Sequence, residues 1–147
     1  TGSGILSLIA SKNASHVLGV DINERAIEVA KSNAHYNKVE NVDFKKSDLF
    51  EEVEEKYDVI LFNPPYLPVE GEDKIWSGGK DGRQVIERFT KDFKKYLKKS
   101  GKVYMLISSL TVKKEVKELF RKVGMRTNII DEEKVPWEEL YVLEIKK

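Results

Sequence analysis

The residues best placed to do chemistry close an apolar run. Tyr57-Asp58-Val59-Ile60-Leu61-Phe62 ends abruptly in Asn63-Pro64-Pro65-Tyr66. A turn explains the prolines, with Asn63 as an ordinary polar residue and Tyr66 as packing, but a turn needs neither this order nor a place at a strand tip. The chemical reading starts from a planar NH2 group, whose nitrogen is a poor nucleophile because its lone pair is delocalised. The Asn63 side-chain oxygen and the Pro64 backbone carbonyl could each accept one of its N–H bonds and favour the pyramidal, nucleophilic form. The prolines restrict the backbone and so aim that carbonyl. Tyr66 could stack on the flat group. No strong base is needed, because the proton becomes acidic once the new bond forms. Catalysis of this kind comes from positioning and preset dipoles.

Three further constellations sit at comparable places. Gly2-Ser3-Gly4 opens a short apolar segment, and glycines there let the chain turn tightly and let a ligand approach backbone amides. A plain helix entry reads the same way. Asp21 ends the next strand, near the offset of about 20 residues at which an acidic side chain binds ribose hydroxyls in nucleoside-binding α/β folds. Asp48 ends the strand after that, where a carboxylate can accept a bond from an adenine amino group. Each aspartate alone also reads as a turn residue. Together with Asn63 they mark successive strand ends, the edge where open α/β sheets bind ligands.

The elements that must position these groups alternate. A strand is expected over His16–Asp21. A helix over 23–38 is capped by Asn23, with Ala26, Ile27, Val29, Ala30 and Ala34 as its apolar positions. A strand follows over Val42–Asp48. Residues 57–62 read as a continuous apolar strand in the middle of a parallel sheet, and residues 67–80 as a loop. A long amphipathic helix is expected over 82–99, with Val85, Ile86, Phe89, Phe93 and Leu97 on one side. A buried strand over 101–108, a helix over 111–124 stopped by Gly124, and two strands, 125–130 and 140–147, joined by a charged loop, complete the chain. The pattern predicts a Rossmann-like α/β fold, a mostly parallel sheet with right-handed crossovers and an antiparallel C-terminal strand, in one domain over 1–147. A glycine turn such as Gly2–Gly4 normally follows a strand, so a first strand upstream of Thr1 is expected.

Composition narrows the class. The 147 residues carry 35% charged side chains that nearly cancel, to a net +1. Near-neutrality argues against a nucleic-acid partner, and no apolar run reaches membrane-spanning length. Without cysteine there is no thiolate site, and His16 and His35 stand apart, so no metal site is expected. Abundant Lys and Glu with no Cys fits a cytoplasmic protein of a thermophile.

Glycine turn, ribose aspartate, adenine-site aspartate and Asn63-Pro64-Pro65-Tyr66, in that order, resemble the class I S-adenosylmethionine-dependent N-methyltransferases. The segment Ile75–Phe89, IWSGGKDGRQVIERF, resembles the archaeal and eukaryotic branch of the HemK-type protein glutamine methyltransferases. By that resemblance the cofactor is S-adenosyl-L-methionine, held by Thr1, Gly2, Gly4, Asp21, Ile22, Asp48, Leu49 and Asn63. Asn63, Pro64 and Tyr66 are catalytic. Asn63, Pro65, Tyr66, Trp76, Gly78 and Gly79 meet the substrate, the glutamine of a Gly-Gly-Gln sequence in a class-one translation release factor. A mobile loop accounts for Gly78-Gly79 nearly as well. The resemblance also implies a small zinc-binding activator protein docking along a sheet edge, for which Val42–Lys46 is the candidate. DNA or RNA amino-group methylation, and a non-catalytic binding module of the same fold, are the alternatives.

Other residues favour plain readings. His16 and His35 are surface or strand-edge groups. Lys94, Lys95, Lys98 and Lys99 read as a solvated helix face. Trp137 reads equally as packing or as a partner contact.

Overall fold

The computed structural model describes residues 1–68 and 77–147; the expected substrate residue Trp76 lies outside them. The chain forms two compact units, Thr1–Glu54 and Glu55–Lys147.

In the first unit, α1 (Ile5–Ala10), β1 (Val17–Asp21), α2 (Glu24–Tyr36) and β2 (Val42–Lys46) follow one another. β1 and β2 pair in parallel, from Val17 opposite Val42 to Asp21 opposite Lys46. α2 begins where Asn23, in extended conformation, accepts the Arg25 amide at 3.0 Å, satisfying one of the free N–H groups of the first turn. The helix buries Ile27, Ala30 and Ala34 against Phe44 of β2, with Leu8 and Val42 at the margin. Val29, expected among the core positions, is exposed: two residues on from Ile27 a helical side chain points away from the buried stripe. A side chain at Gly19 would reach within 2.6 Å of the Phe44 ring, so β1 carries a glycine where that ring lies across it. β2 ends at Lys46, two residues early, because Ser47 turns the chain. Its hydroxyl donates to the Leu49 carbonyl and accepts from the Glu52 amide, both at 3.0 Å.

The second unit contains β3 (Tyr57–Phe62), α3 (Gln84–Asp92), β4 (Leu97–Ser108), α4 (Lys113–Lys122), β5 (Arg126–Val135) and β6 (Glu138–Lys146). Its sheet has the order β3-β4-β6-β5. β3 and β4 are parallel, and β6 runs antiparallel to both β4 and β5, as expected for a mixed sheet of this class. Phe62, Phe89, Phe93 and Phe120 stack and cross at 4.8 to 6.5 Å, joining β3, α3 and α4 over Val103, Met105, Leu143 and Ile145 of the sheet. Each of the three fully buried rings, Phe89, Phe93 and Phe120, contributes roughly 2–3 kcal/mol by burial alone. α4 stops at a Schellman turn. Gly124, at φ 75°, donates to the Arg121 carbonyl, and Met125 donates to that of Phe120, both at 3.0 Å.

β3 is an outer strand of this four-stranded sheet. Ile60 and Phe62 face the core, whereas Val59 and Leu61 are 47% and 39% exposed. Two expectations fail in this unit. The helix over 82–99 is cut to Gln84–Asp92. The chain tightens into a 3-10 turn over Phe93–Lys95, and Leu97 enters β4 opposite Tyr57. Lys98 therefore lies on a strand, bonded to Asp58 at 2.8 Å, and Lys99 lies beside it on β4. Lys94 and Lys95 are exposed, as foreseen, though on the 3-10 turn. Finally, the charged loop between the last strands is itself ladder. β5 and β6 extend to Val135 and Glu138 around a tight turn at Pro136-Trp137. Charges are tolerated there because β5 is the outer strand of the sheet.

Candidate functional site

In the first unit the glycine turn and the first aspartate meet. Gly2 and Gly4 both adopt positive φ, 53° and 82°. At Gly4 this conformation starts α1, and a side chain there would press on Ala30 at 3.0 Å; at Gly2 nothing lies within 4 Å of the missing side chain. The Gly2 amide donates to Asp21 Oδ2 and the Asn23 amide to Oδ1, both at 2.9 Å. Burial pushes the Asp21 carboxyl up, and these backbone donors pull it down. Asp21 is thus a carboxylate fixed under an open glycine turn, with capacity left on its oxygens to accept from a vicinal diol. Ile22 follows it and is exposed. Asp48 and Leu49 sit in the turn after β2, both half-buried, with Leu49 in a left-handed conformation at φ 52°. The turn is closed by the Glu51 amide on the Asp48 carbonyl at 3.3 Å. A nucleoside fits this donor set: a carboxylate for the ribose, a backbone free of side chains beside it, and a second carboxylate one strand away.

In the second unit Asn63-Pro64-Pro65-Tyr66 follows β3 directly. Asn63 is exposed, and its carboxamide has no hydrogen-bond partner among the described residues. Pro64 is fully buried behind it, and Pro65 and Tyr66 are half-buried. Burial, and then the nearby Glu138 carboxylate, raise the Tyr66 phenol above its ordinary value, so it is a neutral ring at physiological pH. The loop expected to border the substrate is bonded to this segment. The Gly78 amide donates to the Leu67 carbonyl at 2.9 Å, the Gln84 amide to the Gly78 carbonyl at 2.9 Å, and the Gly82 amide to the Gly79 carbonyl at 3.0 Å. Gly82 lies so close to Tyr66 that a side chain on it would stand 2.4 Å from the Tyr66 carbonyl oxygen. Gly78 and Gly79 thus belong to a hydrogen-bonded turn.

Residues not foreseen from the sequence complete this wall. Arg83 donates to the Thr111 carbonyl at 3.2 Å and pairs with Asp81 at 3.4 Å, tying the glycine loop to the turn after β4. Thr111 donates to the Ser108 carbonyl at 2.7 Å, and the Ser108 hydroxyl donates to Glu138. Val112 closes that turn with φ 57°, an unusual conformation for a β-branched residue and of the kind that clusters at functional sites. Arg83 could have been noticed as the end of the glycine segment; Glu138 is one of many hairpin carboxylates and carries no sequence signal. His16 pairs with Asp43 at 2.9 Å on the surface, and His35 is exposed, as expected. No group of three or more metal-ligating side chains occurs among the described residues. Among those residues, no helix is long and apolar enough to cross a membrane.

Comparison with known proteins agrees with this geometry. A protein from Methanocaldococcus jannaschii, provisionally named protein N5-glutamine methyltransferase, is 47% identical over 150 residues, covering 97% of this chain and 76% of that protein. The release factor glutamine methyltransferase of Streptococcus pneumoniae is 36% identical over 83% of this chain, which spans only 48% of it. Among solved structures, a methyltransferase from Pyrococcus furiosus superposes with a TM-score of 0.76 at 25% identity, over 97% of this chain and 68% of that one. A complex of Mtq2 with Trm112 from E. cuniculi, described as responsible for methylation of the eRF1 translation termination factor, gives 0.68 at 22% identity, over 100% of this chain and 96% of that one. At that identity the likeness shows the fold alone. The model of the methyltransferase small domain matches residues 1–130, the whole of the first unit and most of the second, and the chain belongs to that family.

Proposed function

We propose that residues 1–147 belong to one catalytic domain that methylates the side-chain nitrogen of a protein glutamine, the one in the Gly-Gly-Gln sequence of a class-one translation release factor. The observation that carries this reading is the exposed Asn63 carboxamide at the tip of β3, without a partner among the described residues and backed by the buried Pro64. The names of the 47% and 36% identical relatives support the choice of acceptor.

S-adenosyl-L-methionine, when bound, supplies an electrophilic methyl group on a sulfonium. The residues that would hold it are Thr1, Gly2, Gly4, Asp21, Ile22, Asp48, Leu49 and Asn63, with Asp21 taking the ribose hydroxyls and Asp48 the adenine amino group. Asn63 Oδ1 and the Pro64 carbonyl each accept one N–H of the acceptor carboxamide and orient its nitrogen. Pro65 and Tyr66 flank the flat amide. Held neutral, the Tyr66 phenol offers a stacking face and is no base. The proton leaves to water after the bond has formed. Gly78 and Gly79 border the acceptor and leave room for a glycine-rich peptide tip.

A small zinc-binding partner pairing along the free edge of Val42–Lys46 completes the proposal, which places the enzyme in the cytoplasm. The test offers labelled methyl donor, with and without that partner, to a Gly-Gly-Gln protein and to DNA and RNA oligomers. Mass spectrometry should find the added methyl on the glutamine. Methyl on an oligomer alone would refute the acceptor, and a chain that fails to bind the donor would refute the enzyme. Asn63→Ala should nearly abolish transfer while only modestly weakening donor binding; unchanged turnover would remove the proposed role of Asn63.

A further inference from the structure

The sequence leaves Trp137 two roles, and the structure removes one of them. The side chain occupies the two-residue turn between β5 and β6 and is 93% exposed, so it packs against nothing. The turn itself is well held. Lys134 and Val135 pair with Glu139 and Glu138 across the hairpin, the Glu139 amide donates to Ser109 Oγ at 3.0 Å, and Ser108 donates to Glu138. A large indole is therefore presented to solvent on a stiff support.

The support belongs to the acceptor side. Ser108, Ser109 and Thr111 form the turn that Arg83 ties to the glycine loop, and Glu138, next to Trp137, is the carboxylate that acts on Tyr66. On the same turn Leu110 and Val112 are also exposed. Apolar side chains gathered on one exposed edge mark an interaction surface more often than chance. Tryptophan is the residue type most enriched among those that dominate binding energy. The hairpin is mostly acidic: Asp131, Glu132, Glu133, Glu138 and Glu139 outnumber Lys134 and the Lys113 that lies over the Tyr141 ring at 3.9 Å. This disfavours a nucleic-acid backbone or an anionic membrane and favours a basic protein face.

We infer that the β5–β6 tip with Trp137, and the adjoining Leu110 and Val112, form a docking surface for a basic face of the acceptor protein, beside the segment that delivers the glutamine. The inference rests on reading Asn63–Tyr66 as the acceptor site of a translation factor. It also answers a shortage in that reading. Two of the three residues in Gly-Gly-Gln have no side chain, so the tripeptide offers little area, and binding energy must come from contacts remote from the reacting nitrogen.

The test compares two acceptors, an intact class-one termination factor and a short peptide containing its Gly-Gly-Gln sequence. Trp137→Ala should lower kcat/KM for the intact factor about thirtyfold, the effect of losing a binding hot spot, chiefly through KM. Turnover of the peptide should stay within about twofold. Equal effects on both acceptors, or none on either, overturn the docking surface. Replacing Glu132 and Glu133 together by lysine should raise KM for the intact factor alone and flatten its salt dependence; a lowered KM counts against the basic face. If the unaltered enzyme methylates neither acceptor, the glutamine reading has failed. The docking surface is then decided separately, by photoreactive benzoylphenylalanine in place of Trp137. A cross-link to the termination factor supports it. A cross-link to a second copy of this chain, to the small partner or to RNA, or no cross-link at all, overturns it.

Discussion

The contact between Gly82 and the Tyr66 carbonyl makes a quantitative prediction. In Gly82→Ala the new methyl would start 2.4 Å from a backbone oxygen, where real side chains keep at least 3.0 Å, so one chain must move by about 0.6 Å. The oxygen belongs to the backbone and is not the free end of a side chain. Overpacking of this kind costs about 1–3 kcal/mol. The residue also sits at φ 66°, and the left-handed conformation costs a non-glycine residue about 1–2 kcal/mol more. Gly124→Ala provides the control: φ is 75°, but nothing lies within 4 Å of the added methyl, so only the conformational part is lost. The two substitutions should therefore differ by the overlap alone. Thermal unfolding should lower the midpoint on the order of 10 °C for Gly82→Ala, and roughly 5 °C for Gly124→Ala. Activity should separate them further. The displaced oxygen belongs to Tyr66, which the proposed function sets beside the acceptor, and a shift approaching 1 Å can cost about a hundredfold in rate. Gly82→Ala should lose turnover measured at a temperature where it is still folded, while Gly124→Ala keeps it. Equal midpoints and equal turnover for the two variants would refute the reasoning.

Other outcomes follow from the same geometry. Asp21→Ala should weaken donor binding by calorimetry before it affects turnover at saturating donor; wild-type affinity would remove the ribose assignment. Glu144 is mostly buried between Lys102 at 2.7 Å and Lys146 at 2.5 Å, which lower its carboxyl from 4.5 to about 2. A carboxylate depressed in the folded state stabilises fully above its unfolded value and is lost below it. Stability should therefore fall as pH drops from about 4.5 toward 2, and acid unfolding of Glu144→Gln should lack that component of the slope. Phe120→Ala should cost about 3–5 kcal/mol in denaturant unfolding, since its ring meets both Phe89 and Phe93; a loss under 1 kcal/mol would mean the aromatic cluster is not the core described.

Much of this arrangement is legible in the residues themselves. Asn23 before a periodic apolar segment marks the start of α2, Gly124 marks the end of α4, and the Asn-Pro-Pro-Tyr step marks the end of β3. The failures share one cause, competition between local pattern and distant pairing. Phe93 and Leu97 are four apart and read as one helix face, yet Leu97 is taken into β4 by pairing with Tyr57, forty residues earlier in the chain. Nothing local signals that exchange. The hairpin charges read as a loop because a strand was expected to be apolar, whereas an outer strand needs only one covered face. The wall around Asn63–Tyr66 was half visible. Its glycines announce themselves, but the bonds from Arg83 to Thr111 and from Ser108 to Glu138 join positions about thirty residues apart, and only the fold brings them together.

The position of β6 constrains how the protein can be made. Among the described residues β5 finds its ladder only on β6, and β6 in turn lies against β4, so a strand that follows β5 in the chain is the keystone of the second sheet. During synthesis β5 leaves the ribosome first and has nothing to pair with until the following residues emerge. Until then the outer edge of β4 is an open template for other chains. A ribosome that stalls within Glu138–Lys146 would release a molecule whose Asn63–Tyr66 segment is already written but whose supporting sheet cannot close.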